Sequence, residues 1–278
     1  MVIGENPEDQ LAPFQENNMS NCPEEYLEFN DETEILQKEW ESLSEDEKNE
    51  YDDFESFVGD RGYDEHEGKF GYWENPKAKW DWYVLGGRWA GFFKMKPGHK
   101  GESGRGGLFT PPPASGTADS ALKKDIDFRE MRRSAGEEAG KTWDKVMKIV
   151  GNLKDYATWE YVRDTISSGD IDAAREYYAN QKAVVKLNEY NRKNSYKMAF
   201  INLDDFVGSR EDYCIDAANA SFVTFAVIKD GVWYEKGSMG WWGMVSNEKN
   251  QDDWNSEVSK MIDELPEDTL ISVYDCHI

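Results

Sequence analysis

The stretch SFVTFAVIKDGVWYEKG, Ser221 to Gly237, holds two β-rich runs separated by Asp230-Gly231. Branched and aromatic side chains suit a pleated, half-buried surface. An Asp-Gly pair suits a two-residue turn, whose central residues need positive φ. The stretch therefore predicts a tight hairpin and, with it, an antiparallel sheet. Downstream, a helical pattern over about 251–264 stops before Pro266, and DTLISVYDCHI closes the chain as a strand. Upstream, NPKAKWDWYVLGGRWAGFF (residues 75–93) predicts a strand, a break at Gly86-Gly87 and a second strand. The expected fold class is α+β: these strands share one antiparallel sheet, ferredoxin-like or related, with helices on one face and a helical insertion.

The insertion is expected over residues 124–197. Asp127, Met131, Ala135, Ala139, Trp143 and Met147 recur every fourth residue, and the alanines allow a neighbouring helix to pack closely. A second helix is expected over about 154–166, and a third from an Asp170 N-cap toward Tyr190. Residues 99–123, rich in Gly and then Pro, predict a linker between this insertion and residues 1–98; the core resumes at 198–278. The Gly cluster lacks the spacing of a phosphate-binding P-loop.

Charge is distributed unevenly. The chain of 278 residues carries a net −24, and residues 1–70 alone hold 23 acids against 4 bases. Within that region Leu36, Trp40 and Leu43 mark one short helix. Ser44-Glu-Asp-Glu47 is a capping box for a second, with Tyr51, Phe54 and Val58 on one side and acids on the other. Such a field repels nucleic acid and attracts basic surfaces, including those that nucleic-acid-binding proteins offer to DNA; it also serves plain solubility. No run is long and apolar enough for a membrane span, and no signal-peptide pattern opens the chain. Three widely spaced cysteines argue against a disulfide framework and for a reducing cytoplasm.

Catalytic equipment is sparse. Asp275-Cys276-His277 groups three potential ligands, but on a strand Cys276 faces away from its neighbours, and no second ligand motif completes a metal site. No metal or cofactor is expected, and no enzymatic activity. The aromatic block either fills a core, stacks a planar ligand with Arg88 and Lys77 or Lys79 holding a phosphate, or pairs Arg88 with a carboxylate across the sheet. The ligand reading gathers Trp82, Arg88, Trp242, Asp275 and His277 into one pocket of a small-ligand or nucleotide-binding protein.

The segments QLAPFQEN, NPKAKWDWYVLGGRW, GSMGWWGMVSNEK and LPEDTLISVYDCHI resemble a recurrent, largely uncharacterised protein family of bacteriophages and other mobile elements. The resemblance covers both ends and the aromatic block. It implies an accessory protein acting in the bacterial host cytoplasm, and it carries no catalytic residues with it. The expected function is binding and inhibition of a host protein, a nucleic-acid-binding defence component, by an acidic surface of Asp46, Glu47, Glu50, Asp52, Asp53 and Glu55. In its sharpest form that surface mimics DNA. Direct binding of nucleic acid or membrane is not expected, while self-association through the helical insertion is.

Overall fold

The structure, a computed structural model, describes residues 1–18, 21–106, 112–240 and 243–277. The fold is α+β, as the hydrophobic patterning implies. The hairpin forms as expected: Ala226–Lys229 pairs antiparallel with Val232–Glu235. Asp230 (φ 54°) and Gly231 (φ 74°) supply the left-handed turn. It sits at one edge of a five-stranded sheet that continues through Val2–Ile3, Leu270–Ser272 and Ser120–Leu122. The sheet is mixed, because Val2–Ile3 runs parallel to Ala226–Lys229.

Period-two alternation sends side chains of each strand to opposite faces. Ile3, Val227 and Ile271 meet Trp254, Val258 and Ile262 of the helix Gln251–Asp263, together with Met131 of the helix Phe128–Val150. Val2, Ile228 and Trp233 meet Leu11, Phe14 and Trp80 on the other face. The second face is thus covered by the aromatic block and a short helix, Pro7–Leu11, and is not left open.

The aromatic block does not join that sheet. Its strand, Trp82–Gly87, pairs antiparallel with Tyr274–His277 in a separate small sheet. The C-terminal segment serves both sheets and changes partners at Val273, which donates its N–H to Asp119 and accepts one from Gly86. The segment expected as a linker is also part of this framework. Its Ser120–Leu122 is an edge strand of the central sheet, and Asp119 is fully buried. Turn-rich composition describes the local chain and cannot reveal an edge pairing made with a strand 150 residues away.

Residues 28–74 form an acidic lobe with its own core. Three antiparallel strands, with Lys69–Glu74 in the centre, pack on helices through Leu36, Phe57 and Val58. The expected helix after Ser44 is two helices, Glu45–Lys48 and Phe54–Asp60. Asp53 opens the second by accepting the N–H of Ser56.

The helical part centres on Phe128–Val150, capped by Asp127. It packs along Arg210–Ala220, so the helical cluster runs beyond residue 197. Gly140 makes room for the Arg210 guanidinium, which pairs with Asp144 one turn on. Asp170 caps a helix as expected, but that helix ends at Asn180 and a second covers Lys182–Lys193. The break is at Gln181, whose side-chain amide both accepts from and donates to the backbone of Ala157. The expected helix at 154–166 is shorter, Trp159–Tyr161 running into a widened turn over Val162–Ile166.

Candidate functional site

The Gly86-Gly87-Arg88 turn is held between two buried carboxylates. Gly86 and Gly87 adopt φ of 75° and 54°, a region that side chains disfavour. Space also demands glycine there. A Cβ on Gly86 would lie 2.7 Å from the Asp119 carboxylate, and one on Gly87 would lie 2.4 Å from the Cβ of Asp275. Asp119 accepts N–H groups from Gly91 (2.6 Å), Phe92 (3.0 Å) and Gly104 (2.8 Å). Asp275 accepts the Arg88 backbone N–H at 2.8 Å and grips its guanidinium through Nε (2.9 Å) and Nη2 (2.6 Å).

Burial raises the proton affinity of Asp275, but hydrogen bonds from the Arg88 side chain and backbone, with the guanidinium charge, outweigh it and hold the carboxyl below its usual range. Of the three readings of Arg88, the cross-sheet carboxylate pair is the one formed. Asp275 is 3% exposed while Arg88 is 59% exposed, so the pair has one buried and one solvated end.

Beside this turn lies a cavity of about 490 Å³, walled by the second face of the central sheet. Val2, Ile228, Trp233 and Phe92 line it, with Trp89 and Met239 among its other walls. Arg88 and Lys79 are the cationic side chains among its lining residues. Lys79 pairs with Glu235 at 3.0 Å, and Glu235 also accepts the indole N–H of Trp233.

The pocket expected from sequence is only partly assembled. Arg88 and Asp275 come together and border the cavity. Trp82 and His277 come together elsewhere: they face each other across the two strands, stack with ring centroids 5.2 Å apart, and lie at the surface. His277 Nδ1 sits 3.2 Å from Asp81. Neither ring lines the cavity, because they sit two register positions from the Val84–Asp275 pair. Trp242 lies outside the described residues.

Cys276 faces Tyr83 and Tyr274, away from His277. Burial pushes its thiol up to about 11, so no thiolate nucleophile is available at neutral pH. Among the described residues, no three His, Cys, Asp or Glu side chains converge as a metal-binding group. Sequence reasoning offered Lys79, as an alternative to Lys77, for a phosphate-holding cation beside Arg88, and Lys79 does border the cavity; it missed Asp119 and Glu235 as elements of this region. A single Asp in a turn-rich segment has no periodicity to mark it.

The six acids expected as a contact surface are all exposed. Two of them already have local work. Glu47 closes the capping box with Ser44, whose hydroxyl and amide hold its carboxyl below the usual range, and Asp53 caps the next helix. Asp46, Glu50, Asp52 and Glu55 have no hydrogen-bonding or cationic partner among the described residues.

No family model, no curated protein and no solved structure matches the chain. No helix among the described residues is long and apolar enough to cross a membrane.

Proposed function

We propose that the protein acts by contact, docking its acidic lobe on a basic surface of a bacterial protein that handles nucleic acid, and so inhibiting it. One observation carries the reading. Residues 28–74 hold 18 acids against 4 bases, on a lobe with its own core, so the carboxylates need no part in the main fold and are presented outward. The resemblance to mobile-element proteins supplies the setting, a host whose defences act on nucleic acid. In the sharper form, the lobe occupies a groove that otherwise receives DNA.

The test replaces only the four carboxylates that do no capping, as Asp46→Asn, Glu50→Gln, Asp52→Asn and Glu55→Gln together. Stability should be unchanged, because none of the four has a partner to lose. A partner captured by the wild-type protein from bacterial extract should bind the variant about tenfold more weakly or worse, since exposed charge pairs contribute about 0.2–1 kcal/mol each. Capture by the wild type should fade as salt rises, and duplex DNA should compete with it if the lobe mimics DNA. Unchanged capture by the fourfold variant would refute the docking surface.

A second reading, self-association, is favoured by a groove between Phe128–Val150 and Lys182–Lys193, lined by Lys145, Lys148, Lys186 and Lys193. Its charge is opposite to that of the acidic lobe. Sedimentation at low and high salt tests it directly, and a monomer under both conditions would exclude it.

A further inference from the structure

We propose that the cavity beside the Gly86-Gly87-Arg88 turn is a binding site for a flat, largely apolar molecule carrying one anionic group, with Arg88 receiving the anion. This inference stands apart from docking by the acidic lobe. Its size falls within the range of about 300–1,000 Å³ typical of small-molecule sites. The walls are mostly aliphatic and aromatic, which favours burial of an apolar body; Trp233, Phe92 and Trp89 offer ring faces and edges to a planar one.

The sign of the polar group follows from counting which hydrogen-bonding capacity is already used. Asp275 accepts one backbone N–H and a guanidinium that reaches both of its oxygens, so its lone pairs are occupied. Glu235 accepts from Lys79 and from the Trp233 indole. The carboxylates at the cavity are therefore neutralised and saturated. Donors are in surplus. Asp275 engages Nε and Nη2 of Arg88, while Nη1 makes no hydrogen bond to a described residue. The Lys79 ammonium likewise has more hydrogens than Glu235 engages. A carboxylate or sulfonate fits surplus donors; a cationic ligand would meet two carboxylates each already paired with a cation.

Asp275 also fixes the guanidinium plane, so Arg88 loses little side-chain freedom on receiving the ligand. The protein's overall negative charge does not reverse this preference, because charges more than about 8 Å away are screened at physiological salt, whereas a direct contact is not.

Two fluorescent probes that differ in a single group test the proposal: anilinonaphthalene sulfonate, and phenyl-naphthylamine, the same ring system without the sulfonate. Both should bind the full chain and compete with each other. Ala226→Trp, which places an indole in the cavity, and Met239→Trp, at another of its walls, should each weaken both probes more than tenfold. Arg88→Gln should lower the ratio of sulfonate to neutral-probe affinity about tenfold, the scale of one charge-assisted hydrogen bond, with the neutral probe reporting that the cavity persists. An unchanged affinity ratio in Arg88→Gln, or full binding of both probes to both tryptophan variants, would overturn the proposal.

Discussion

Replacing Asp119 with alanine is expected to lower the stability of the protein by about 3–5 kcal/mol, one of the two largest single-residue effects anticipated. The side chain is fully buried and accepts three backbone N–H groups, two from the turn after Arg88 and one from Gly104. No cationic side chain pairs with it among the described residues, so backbone dipoles alone balance its charge. Alanine leaves three partly buried donors without their acceptor, each costing up to about 1–3 kcal/mol before relaxation. Asp119→Asn keeps one oxygen but turns an NH₂ group toward a backbone donor, so an intermediate loss is expected. Urea unfolding at unchanged slope measures both, and amide exchange should quicken at Gly91, Phe92 and Gly104. A loss below about 1 kcal/mol in the alanine variant would mean that the loops are held by something else.

The second large effect concerns Arg88 and Asp275. Arg88→Ala removes the charged partner of a carboxylate that is 3% exposed. Breaking a fully buried pair costs about 3–5 kcal/mol; with the guanidinium more than half exposed, about 2–3 kcal/mol is expected at pH 7. The loss should depend on pH with a definite sign. Asp275 is held below its ordinary value in the folded protein, so the unfolded chain takes up a proton first as pH falls. The stabilisation from the pair is complete above about pH 4–5 and is lost as pH falls through the depressed folded value. Wild type and Arg88→Ala should therefore converge in stability in strong acid, once Asp275 is protonated in both, with Arg88 charged throughout. A gap that stays constant from neutral pH to strong acid would show that Arg88 acts through packing alone.

These two carboxylates explain why NPKAKWDWYVLGGRWAGFF reads so distinctly. Its tryptophans divide their work. Trp80 is buried beneath the central sheet and donates its indole N–H to Leu11, while Trp82 and Trp89 remain largely exposed. The two glycines are required twice over: their φ is positive, and Asp119 and Asp275 occupy the space their side chains would need.

Much of the fold was legible in local chemistry. The Asp230-Gly231 turn, the Ser44–Glu47 capping box, the Asp170 cap and the apolar stripe of Phe128–Val150 each depend on residues within a few positions of one another. Period and turn composition therefore suffice to identify them. The outward acids before residue 70 were legible for the same reason, since Leu36, Trp40 and Val58 have to turn inward. Breaks within helices were not legible: Gln181 interrupts one because its amide finds the backbone of Ala157, a contact made across the fold.

By itself the sequence determined the α+β class, the hairpin and the concentration of negative charge on one segment. Tertiary structure alone decided that Ser120–Leu122 belongs to the central sheet, that Asp119 is buried, that Arg88 meets Asp275, and that Trp82 and His277 stack away from the cavity. Each of these is a pairing between residues far apart in the chain, where no periodicity reaches. Strand register and close backbone approach select them, and both come into being only when the sheets assemble.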